Sequence, residues 1–415
     1  MDLELITIGT ELLLGFTIDT NAAEMGQALA RSGVRVVRRS TVGDDPARIR
    51  AAVTEALDRT GLVITTGGLG PTKDDMTKQV VADLFAAPLE TDAAYLAQLE
   101  ARWARLGRTG PMPEANHTQA LVPRGATMLP NPRGTAPGLW MEQGRRTIVL
   151  LPGVPREMNG LLHEQVIPRL RQRAGAAGAI TKSFTLRCTG IAESALADRI
   201  GVLEDNLSPL TLAYLPGLDG IDLRLTAWSL PEPEADHLLA KAAAQLKGAA
   251  GDVCYGEGDE DLAAAVLSRL REKGLQLATA ESCTGGLLGG RITEIPGSSS
   301  VFRGGVVAYA NEVKEMALDV PAALIHASGA VSEPVVRAMA EGAKRRFGVG
   351  AAMAVTGIAG PDGGTPDKPV GTVWLAASAA TETRAVMRRY LGERDEVRRR
   401  AAQGALDLMR LLLKS

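Results

Sequence analysis

Ser282 stands in Thr279-Ala-Glu-Ser-Cys-Thr-Gly-Gly286, between a short apolar strand read at Leu275–Ala278 and a helix read at Leu287–Ile292. A serine on such a strand–turn–helix is lifted above the sheet edge. The helix start beyond it brings free N–H groups and the positive end of the helix dipole, which can hold a phosphate or a developing oxyanion. Thr284 adds a hydroxyl, and Gly285 and Gly286 allow close backbone approach to a ligand. The same stretch also reads as an ordinary small-residue helix start. Cys283 is a rival nucleophile with intrinsically greater reactivity, although a small buried cysteine more often only packs. Downstream, Tyr309 and Lys314 lie in Val306-Val-Ala-Tyr-Ala-Asn-Glu-Val-Lys314, where a strand turns into a helix at Asn311. A second loop, Thr356-Gly-Ile-Ala-Gly-Pro-Asp-Gly-Gly364, follows the strand read at Ala352–Val355 and offers Thr356, Gly357 and Gly360. Two Gly-rich loops at strand ends place a site along one sheet edge, where open α/β sheets bind ligands. Lys368 could contact phosphate or stand as a solvated loop lysine, and Arg291 and Arg303 are candidates for a phosphate contact with nothing to choose between them.

A separate constellation lies near the amino end. Thr65-Thr-Gly-Gly-Leu-Gly-Pro-Thr-Lys-Asp-Asp75 follows a strand and precedes a helix. Gly67, Gly68 and Gly70 would let backbone amides approach phosphates, and Lys73 would add a point charge. Asp74 and Asp75 would repel a bare anion. They make sense if a divalent ion sits between carboxylate and phosphate, or if one of them caps the next helix. Glu11, Asn21 and the pair Asp44-Asp45 each follow a strand and could converge on the same edge as ligands, or serve locally as caps.

The elements that must position these groups alternate. Strands at Leu3–Ile8, Val34–Val37 and Leu62–Thr66 are separated by helices, with caps offered by Asp19-Thr20-Asn21 and a stop at Gly33. That alternation implies a parallel α/β sheet covered on both faces. A further helix, Pro/Gly-rich loops, a strand at Thr147–Leu151 and a helix at Met158–Arg173 complete a domain of residues 1–173. The small-residue run Ala174–Ala179 reads as a linker. A compact α+β domain follows at 180–254, with no reactive cluster and the look of a packing or spacer unit. Residues 258–415 form a second α/β domain. Its tail Glu393–Arg400 reads as an exposed helix start with local ion pairs.

Composition narrows the function classes. The 415 residues are 45% hydrophobic and carry 46 basic against 48 acidic side chains, a net charge of −2. A dedicated nucleic-acid binder carries a basic excess, and five Phe, five Tyr and four Trp offer little for base stacking. Three cysteines and four histidines are scattered without metal-ligand spacing, so any metal would be held by oxygen. Sparse cysteines suit a reducing cytoplasm. Asp2 and Glu4 stand where a secretory signal would be positive, and no apolar run reaches membrane-spanning length. A cytoplasmic protein without membrane or direct nucleic-acid contact is expected.

The segments ATAESCTGG, VVAYANEVK and AVTGIAGPDGGTPDKPVGTV resemble the C-terminal domain of the CinA family and the stand-alone nicotinamide mononucleotide amidohydrolases, over residues 258–415. The resemblance implies deamidation of nicotinamide mononucleotide to nicotinic acid mononucleotide and ammonia without a cofactor, with a Ser–Lys–Tyr arrangement carried by Ser282, Lys314 and Tyr309. Lysine is protonated at neutral pH, with a pKa near ~10.4. Burial or the substrate pyridinium would have to lower it before it could activate serine. GTELLLG with IDTN, TTGGLGPTKDD and LPGVPREM again resemble CinA, over about residues 1–172. That half resembles the molybdopterin-binding fold of MogA- and MoeA-type proteins, with Leu69 where those carry Thr. It implies a metal-dependent ADP-ribose pyrophosphatase using Mg²⁺ or a similar ion, with Glu157 a lesser candidate for the site. The family also implies a homodimer. Two other readings are a protein-interaction factor in competence or recombination, and an amidase joined to an N-terminal nucleotide- or molybdopterin-binding module.

Overall fold

The computed structural model describes residues 1–105, 110–174 and 179–414; most of the linker read at Ala174–Ala179 lies outside them. The chain partitions into two compact units, Met1–Lys182 with Ala227–His237, and Ser183–Thr226 with Leu238–Ser415.

In the first unit, β1 (Asp2–Ile8), α1 (Thr10–Leu13), α2 (Thr20–Ala30), β2 (Arg35–Val42), α3 (Pro46–Thr60), β3 (Leu62–Thr66) and α4 (Thr77–Leu84) alternate as the sequence implies. The caps are local chemistry. Asp19 accepts from the Ala22 amide, Asp45 accepts from the Arg48 amide ahead of Pro46, and Gly61 ends α3 in the left-handed region. Then come β4 (Leu89–Thr91), α5 (Ala93–Arg105), β5 (Leu121–Pro123), β6 (Thr127–Leu129), β7 (Gly138–Gln143), β8 (Arg146–Leu151), α6 (Pro155–Leu161) and α7 (Ile167–Ala174). The single helix read at Met158–Arg173 is interrupted by a π-helical stretch, Leu162–Val166. Pro168 is the physical cause we assign, because it lacks the N–H that an α-helix would bond back to residue 164.

The main sheet runs β2-β1-β3-β8-β7-β6. Its first four strands are parallel, but β7 and β6 return antiparallel, so the sheet is mixed rather than wholly parallel. The tight hairpin at Gly144 leaves no room for a crossover helix between β7 and β8. Both faces are covered, by a core around Leu3, Leu5, Met25 and Leu162 on one side and Ile6, Val53, Val81 and Phe85 on the other.

The small segment contributes β9 (Ile180–Cys188), α8 (Glu193–Ile200), β10 (Leu210–Pro216), β11 (Ile221–Leu230), α9 (Glu232–Ala250) and β12 (Cys254–Glu257), in a sheet ordered β10-β11-β9-β12. In the second unit it is tied to the last helix of the chain. Gln403 Nε2 donates to Thr189 Oγ1 (3.1 Å) and to the Asp219 carbonyl (2.5 Å), and buried Arg410 donates to the Asp252 carbonyl (2.6 Å).

The remainder is α10 (Leu262–Glu272), β13 (Leu277–Glu281), α11 (Leu287–Thr293), β14 (Phe302–Val307), α12 (Asn311–Leu318), α13 (Ala322–Ser328), α14 (Glu333–Phe347), β15 (Ala351–Gly357), β16 (Thr372–Ala379), β17 (Glu382–Arg389) and α15 (Arg394–Leu412). Its sheet is ordered β14-β13-β15-β16-β17, parallel across β14, β13 and β15 and antiparallel beyond. Leu277, Met353, Val355 and Leu375 face α10 and α15, while Ala278, Ala280, Ala352 and Ala354 face α14 with Val335 and Met339. Small side chains on that second face let the helix lie close to the strands. β13 extends to Glu281, three residues past its expected end, because pairing with β14 and β15 on both sides holds it extended. No helix among the described residues is long and apolar enough to cross a membrane.

Candidate functional site

Ser282 is the first residue past β13, and its amide donates to the Val355 carbonyl at 2.9 Å. The chain then reverses into α11 through Gly285 and Gly286, at φ +61° and +96°. Only glycine enters that region without strain. Ser282 is 8% exposed, and its hydroxyl has no hydrogen-bond partner among the described residues.

The helix start beside it does not carry free amides. The buried Glu281 carboxylate accepts from the amides of Gly286 (3.0 Å), Leu288 (3.0 Å) and Gly289 (2.8 Å). The Gly285 amide donates to the Ser282 carbonyl and that of Leu287 to the Thr284 carbonyl. Only the amides of Cys283 and Thr284 in this turn lack an acceptor outside their own residue among the described residues. Both residues are buried, and buried amides without a partner are rare enough to mark a place where a ligand atom belongs. The Thr284 hydroxyl is likewise buried and unpartnered.

Lys314 reaches the same end of the sheet from α12. It is 1% exposed, and its amine donates to the carbonyls of Ala308 (3.0 Å), Tyr309 (3.3 Å) and Ala310 (3.5 Å). The Ala308 amide in turn donates to the Glu281 carbonyl at 2.7 Å. Burial holds the Lys314 pKa below its ordinary value, with Cys283 and Glu312 acting weakly against that shift. No hydrogen bond joins Lys314 to Ser282 in this resting arrangement. Catalytic contacts of unliganded sites commonly tighten only with substrate. Tyr309 is exposed, and its hydroxyl accepts from Arg394 (3.0 Å) instead of touching Ser282 or Lys314. The Cys283 thiol is pushed up to about 12, chiefly by burial, with its own backbone amide pulling the other way and the Glu281 charge adding to the rise, so at neutral pH it is a packed thiol.

Of the second loop, Thr356 is buried and donates to the Ala330 carbonyl at 2.9 Å, a tie between strand and loop that leaves no donor for a ligand. Gly357 ends β15, packed against Val373. Gly360 does reach the site, its carbonyl accepting from Arg394 at 2.5 Å. The basic residues weighed for phosphate are engaged elsewhere. Lys368 bonds the carbonyls of Ser328 and Val331, Arg291 is held by Asp261 and Gln403, and Arg303 bonds Gln276. Arg394 and Arg398 are the basic residues that the structure brings beside the Ser282 turn. They lie one turn apart on α15, and Arg398 donates to the Thr284 carbonyl at 2.9 Å. The tail does carry the expected ion pair, Arg399 with Asp395 at 2.8 Å. What sequence reading missed is the i, i+4 spacing of Arg394 and Arg398 beside buried Val397 and Ala401, which sends both toward the Ser282 turn.

In the first unit one cavity of about 430 Å³ is lined by Glu11, Asp44, Gly67, Gly68, Gly70, Asp74, Asp75, Gln119, Thr135 and Glu157 among others. The Gly-rich loop and the suspected carboxylates therefore meet, except Asp45, which caps α3 instead. Gly67 is there at φ +108°, where a Cβ would stand 2.1 Å from the Ile8 carbonyl oxygen. Asp44 Oδ2 accepts from the amide and hydroxyl of Thr10, both at 2.9 Å. Asp75 Oδ2 accepts from the Thr72 amide at 2.9 Å and from its hydroxyl. Each spends one oxygen bracing its loop and keeps Oδ1. The Asp74 carboxyl is held below its usual range by hydrogen bonding to Thr72. Asn21 stands behind the cavity and braces it, donating to Thr66 Oγ1 (3.2 Å) and the Gly153 carbonyl (2.7 Å). Lys73 lines a different cavity, with Met76 and Leu121. Leu69 is buried in the core.

A divalent ion suits the hard oxygen donors of this cavity. Yet among the described residues no three His, Cys, Asp or Glu side chains converge closely enough to enclose one. Such a sparse set fits an ion that keeps its waters and is completed by phosphate oxygens, the usual habit of Mg²⁺.

Three family models match successive parts of the chain. Residues 4–172 match a family described as "Probable molybdopterin binding domain", 183–256 the "Damage-inducible protein CinA KH domain", and 259–413 the "CinA C-terminal domain". A CinA-like protein of Gemmatimonas aurantiaca is 58% identical over 412 residues, 99% of this chain and 96% of that relative. One of Gloeobacter violaceus is 44% identical over 410 residues, 98% of this chain and 95% of the relative. A crystal structure of the protein CinA from Thermoplasma acidophilum is 38% identical and covers 40% of this chain and 97% of its own, with a TM-score of 0.37. A serine turn closed by its neighbouring carboxylate, a carboxylate-lined glycine loop, and a full-length match at this identity lead to one conclusion: the chain belongs to the family of CinA-like proteins.

Proposed function

We propose that the second unit hydrolyses the carboxamide of nicotinamide mononucleotide, and that the first hydrolyses the pyrophosphate of ADP-ribose with a divalent ion. The observation that carries the amidase reading is the meeting, at one sheet end, of an unpartnered serine hydroxyl, two buried amides without acceptors, and a buried lysine amine. In the reaction Ser282 Oγ attacks the carboxamide carbon while neutral Lys314, exchanging one carbonyl partner for the hydroxyl, takes its proton. The amides of Cys283 and Thr284 hold the oxyanion. The C–N bond then breaks, and the lysine proton leaves with ammonia. Water, deprotonated by the same amine, attacks the acyl-serine ester, releasing nicotinic acid mononucleotide and restoring Ser282. The cationic pyridinium of the substrate further disfavours protonated Lys314. Arg394 and Arg398 supply positive charge at the mouth for the phosphate.

In the first unit, one or two of the cavity carboxylates Glu11, Asp44 and Asp75, the last two through their remaining Oδ1 atoms, would hold the ion, with Asp74 and Glu157 lining the same cavity. When bound, the ion would neutralise pyrophosphate charge and make a water molecule more acidic. The Gly67–Gly70 backbone would let phosphate approach closely, and Gln119 and Thr135 add polar groups to the lining of the same cavity.

Ammonia release from nicotinamide mononucleotide and AMP release from ADP-ribose, measured on the purified full chain with and without chelator, test both halves. Ammonia release that survives chelation while AMP release stops supports the assignment. A full chain inert toward both substrates in the presence of Mg²⁺ ends it.

A further inference from the structure

A carboxylate buried at the end of a strand is costly unless its oxygens are satisfied. Glu281 is 2% exposed, and it is satisfied entirely by backbone amides of the turn and helix that follow Ser282. Its backbone carbonyl does a second thing. It accepts from the Ala308 amide at 2.7 Å, and the Ala308 carbonyl accepts from the Lys314 amine at 3.0 Å. One residue therefore connects both sides of the proposed chemistry, the serine turn through its side chain and the lysine loop through its main chain.

We infer that Glu281 is the positioning residue of this site: it occupies the amino end of α11 with its own carboxylate, and so fixes Ser282 and leaves the Cys283 and Thr284 amides as oxyanion donors. This inference rests on the amidase reading of Ser282. It has two consequences. Because the helix start already holds an anion, the substrate phosphate is excluded from it and must bind elsewhere, on the side of Arg394 and Arg398. The fixed negative charge beside Cys283 also works against a thiolate there, which keeps the chemistry on the hydroxyl. Glu281 touches neither substrate nor reacting atoms, and its effect is carried through geometry.

The full-length chain is examined as wild type, Glu281→Gln and Glu281→Ala. Gln keeps the shape but can accept through one oxygen only, so at least one of the three amides loses its partner. Two measurements are made: hydrogen exchange over the segment Ser282–Gly290, and steady-state deamidation of nicotinamide mononucleotide. The expected result is exchange at least about tenfold faster in that segment for both variants. With it goes a fall in kcat of about thirtyfold or more that exceeds any change in KM, since Glu281 itself makes no phosphate contact, although Arg398 is tied to the same turn through the Thr284 carbonyl. Added formate, which can refill the anion position, restores part of the Glu281→Ala turnover and slows the exchange again. Unchanged exchange in Glu281→Ala overturns the inference, as does unchanged kcat. A KM rise at constant kcat also overturns it, because phosphate would then have been using the helix start. Should wild type release no ammonia, the amidase reading fails, while the exchange data still decide whether Glu281 holds the turn.

Discussion

Replacing Lys314 with methionine removes the amine while keeping most of the volume of its apolar stem. In the native protein that amine is nine-tenths or more buried and donates to three carbonyls at 3.0, 3.3 and 3.5 Å. At about 1 kcal/mol net for each bond the variant loses at most about 3 kcal/mol. It is spared the burial of a cation, an opposing effect of similar size, so the fold survives and thermal unfolding shifts by only a few degrees. Turnover has no such offset. A positioned general base contributes about 10²–10⁴-fold, equivalent to about 3–5 kcal/mol of barrier, and ammonia release should fall within that range with binding of nicotinamide mononucleotide largely kept. The pH behaviour gives an independent reading. Since burial depresses the amine pKa, kcat/KM in the wild type rises with pH as the amine loses its proton and levels off below the ordinary lysine value near ~10.4. Stability follows the same group. Between the depressed folded pKa and ~10.4 the unfolded chain binds more protons, so stability rises with pH across that window, and below it the folded state bears the cost of a buried ammonium. Lys314→Met should lack this stability slope. A folded Lys314→Met protein that turns over within threefold of wild type would refute the reasoning.

Ser282→Ala should abolish ammonia release, whereas Cys283→Ala keeps most of it, because a thiol pushed up to about 12 is protonated at neutral pH; the reverse pattern in the same assay would transfer the nucleophile to sulfur. Arg398→Ala should raise KM for nicotinamide mononucleotide by about tenfold, as expected for one lost charge-assisted contact, with smaller effect on a substrate lacking phosphate. Gly67→Ala places a Cβ 2.1 Å from the Ile8 carbonyl at φ +108°. It should cost roughly 2 kcal/mol or more and remove ADP-ribose cleavage, with ammonia release unaffected. Asp75→Asn should weaken Mg²⁺ stimulation of AMP release without changing the apo protein's melting temperature by more than a few degrees.

Much of the scaffold was readable because it is local. Alternating apolar strands and capped helices announce α/β architecture, and Asp19 and Asp261 cap their helices through amides two or three residues on. The carboxylates Glu11, Asp44, Asp74 and Asp75 were suspected because strand ends of an α/β sheet share an edge, and they do line one cavity. Asn21 and Lys73 follow the same logic yet face elsewhere. Position after a strand sets which end of the sheet a residue occupies, but not the direction of its side chain. The antiparallel strands at the sheet edges, β6 and β7, β16 and β17, escaped notice because short hairpins leave no periodic helix to mark them.

The amino-acid order alone determined where a nucleophile could stand, since an apolar strand, a serine and two glycines before a helix make that turn by local sterics and hydrogen bonding. It also left oxygen as the expected donor for any metal, because the cysteines and histidines are scattered along the chain. Only the tertiary structure decided that Glu281 fills the helix start, that Lys314 hangs from three carbonyls, and that Arg394 and Arg398 arrive from the last helix. The Glu281 and Lys314 contacts reach only four to eight residues along the chain, and burial decides which way those side chains turn; the arginine contacts are set by helix docking. They depend on packing between segments as much as 114 residues apart, and no pattern within a short window encodes that packing.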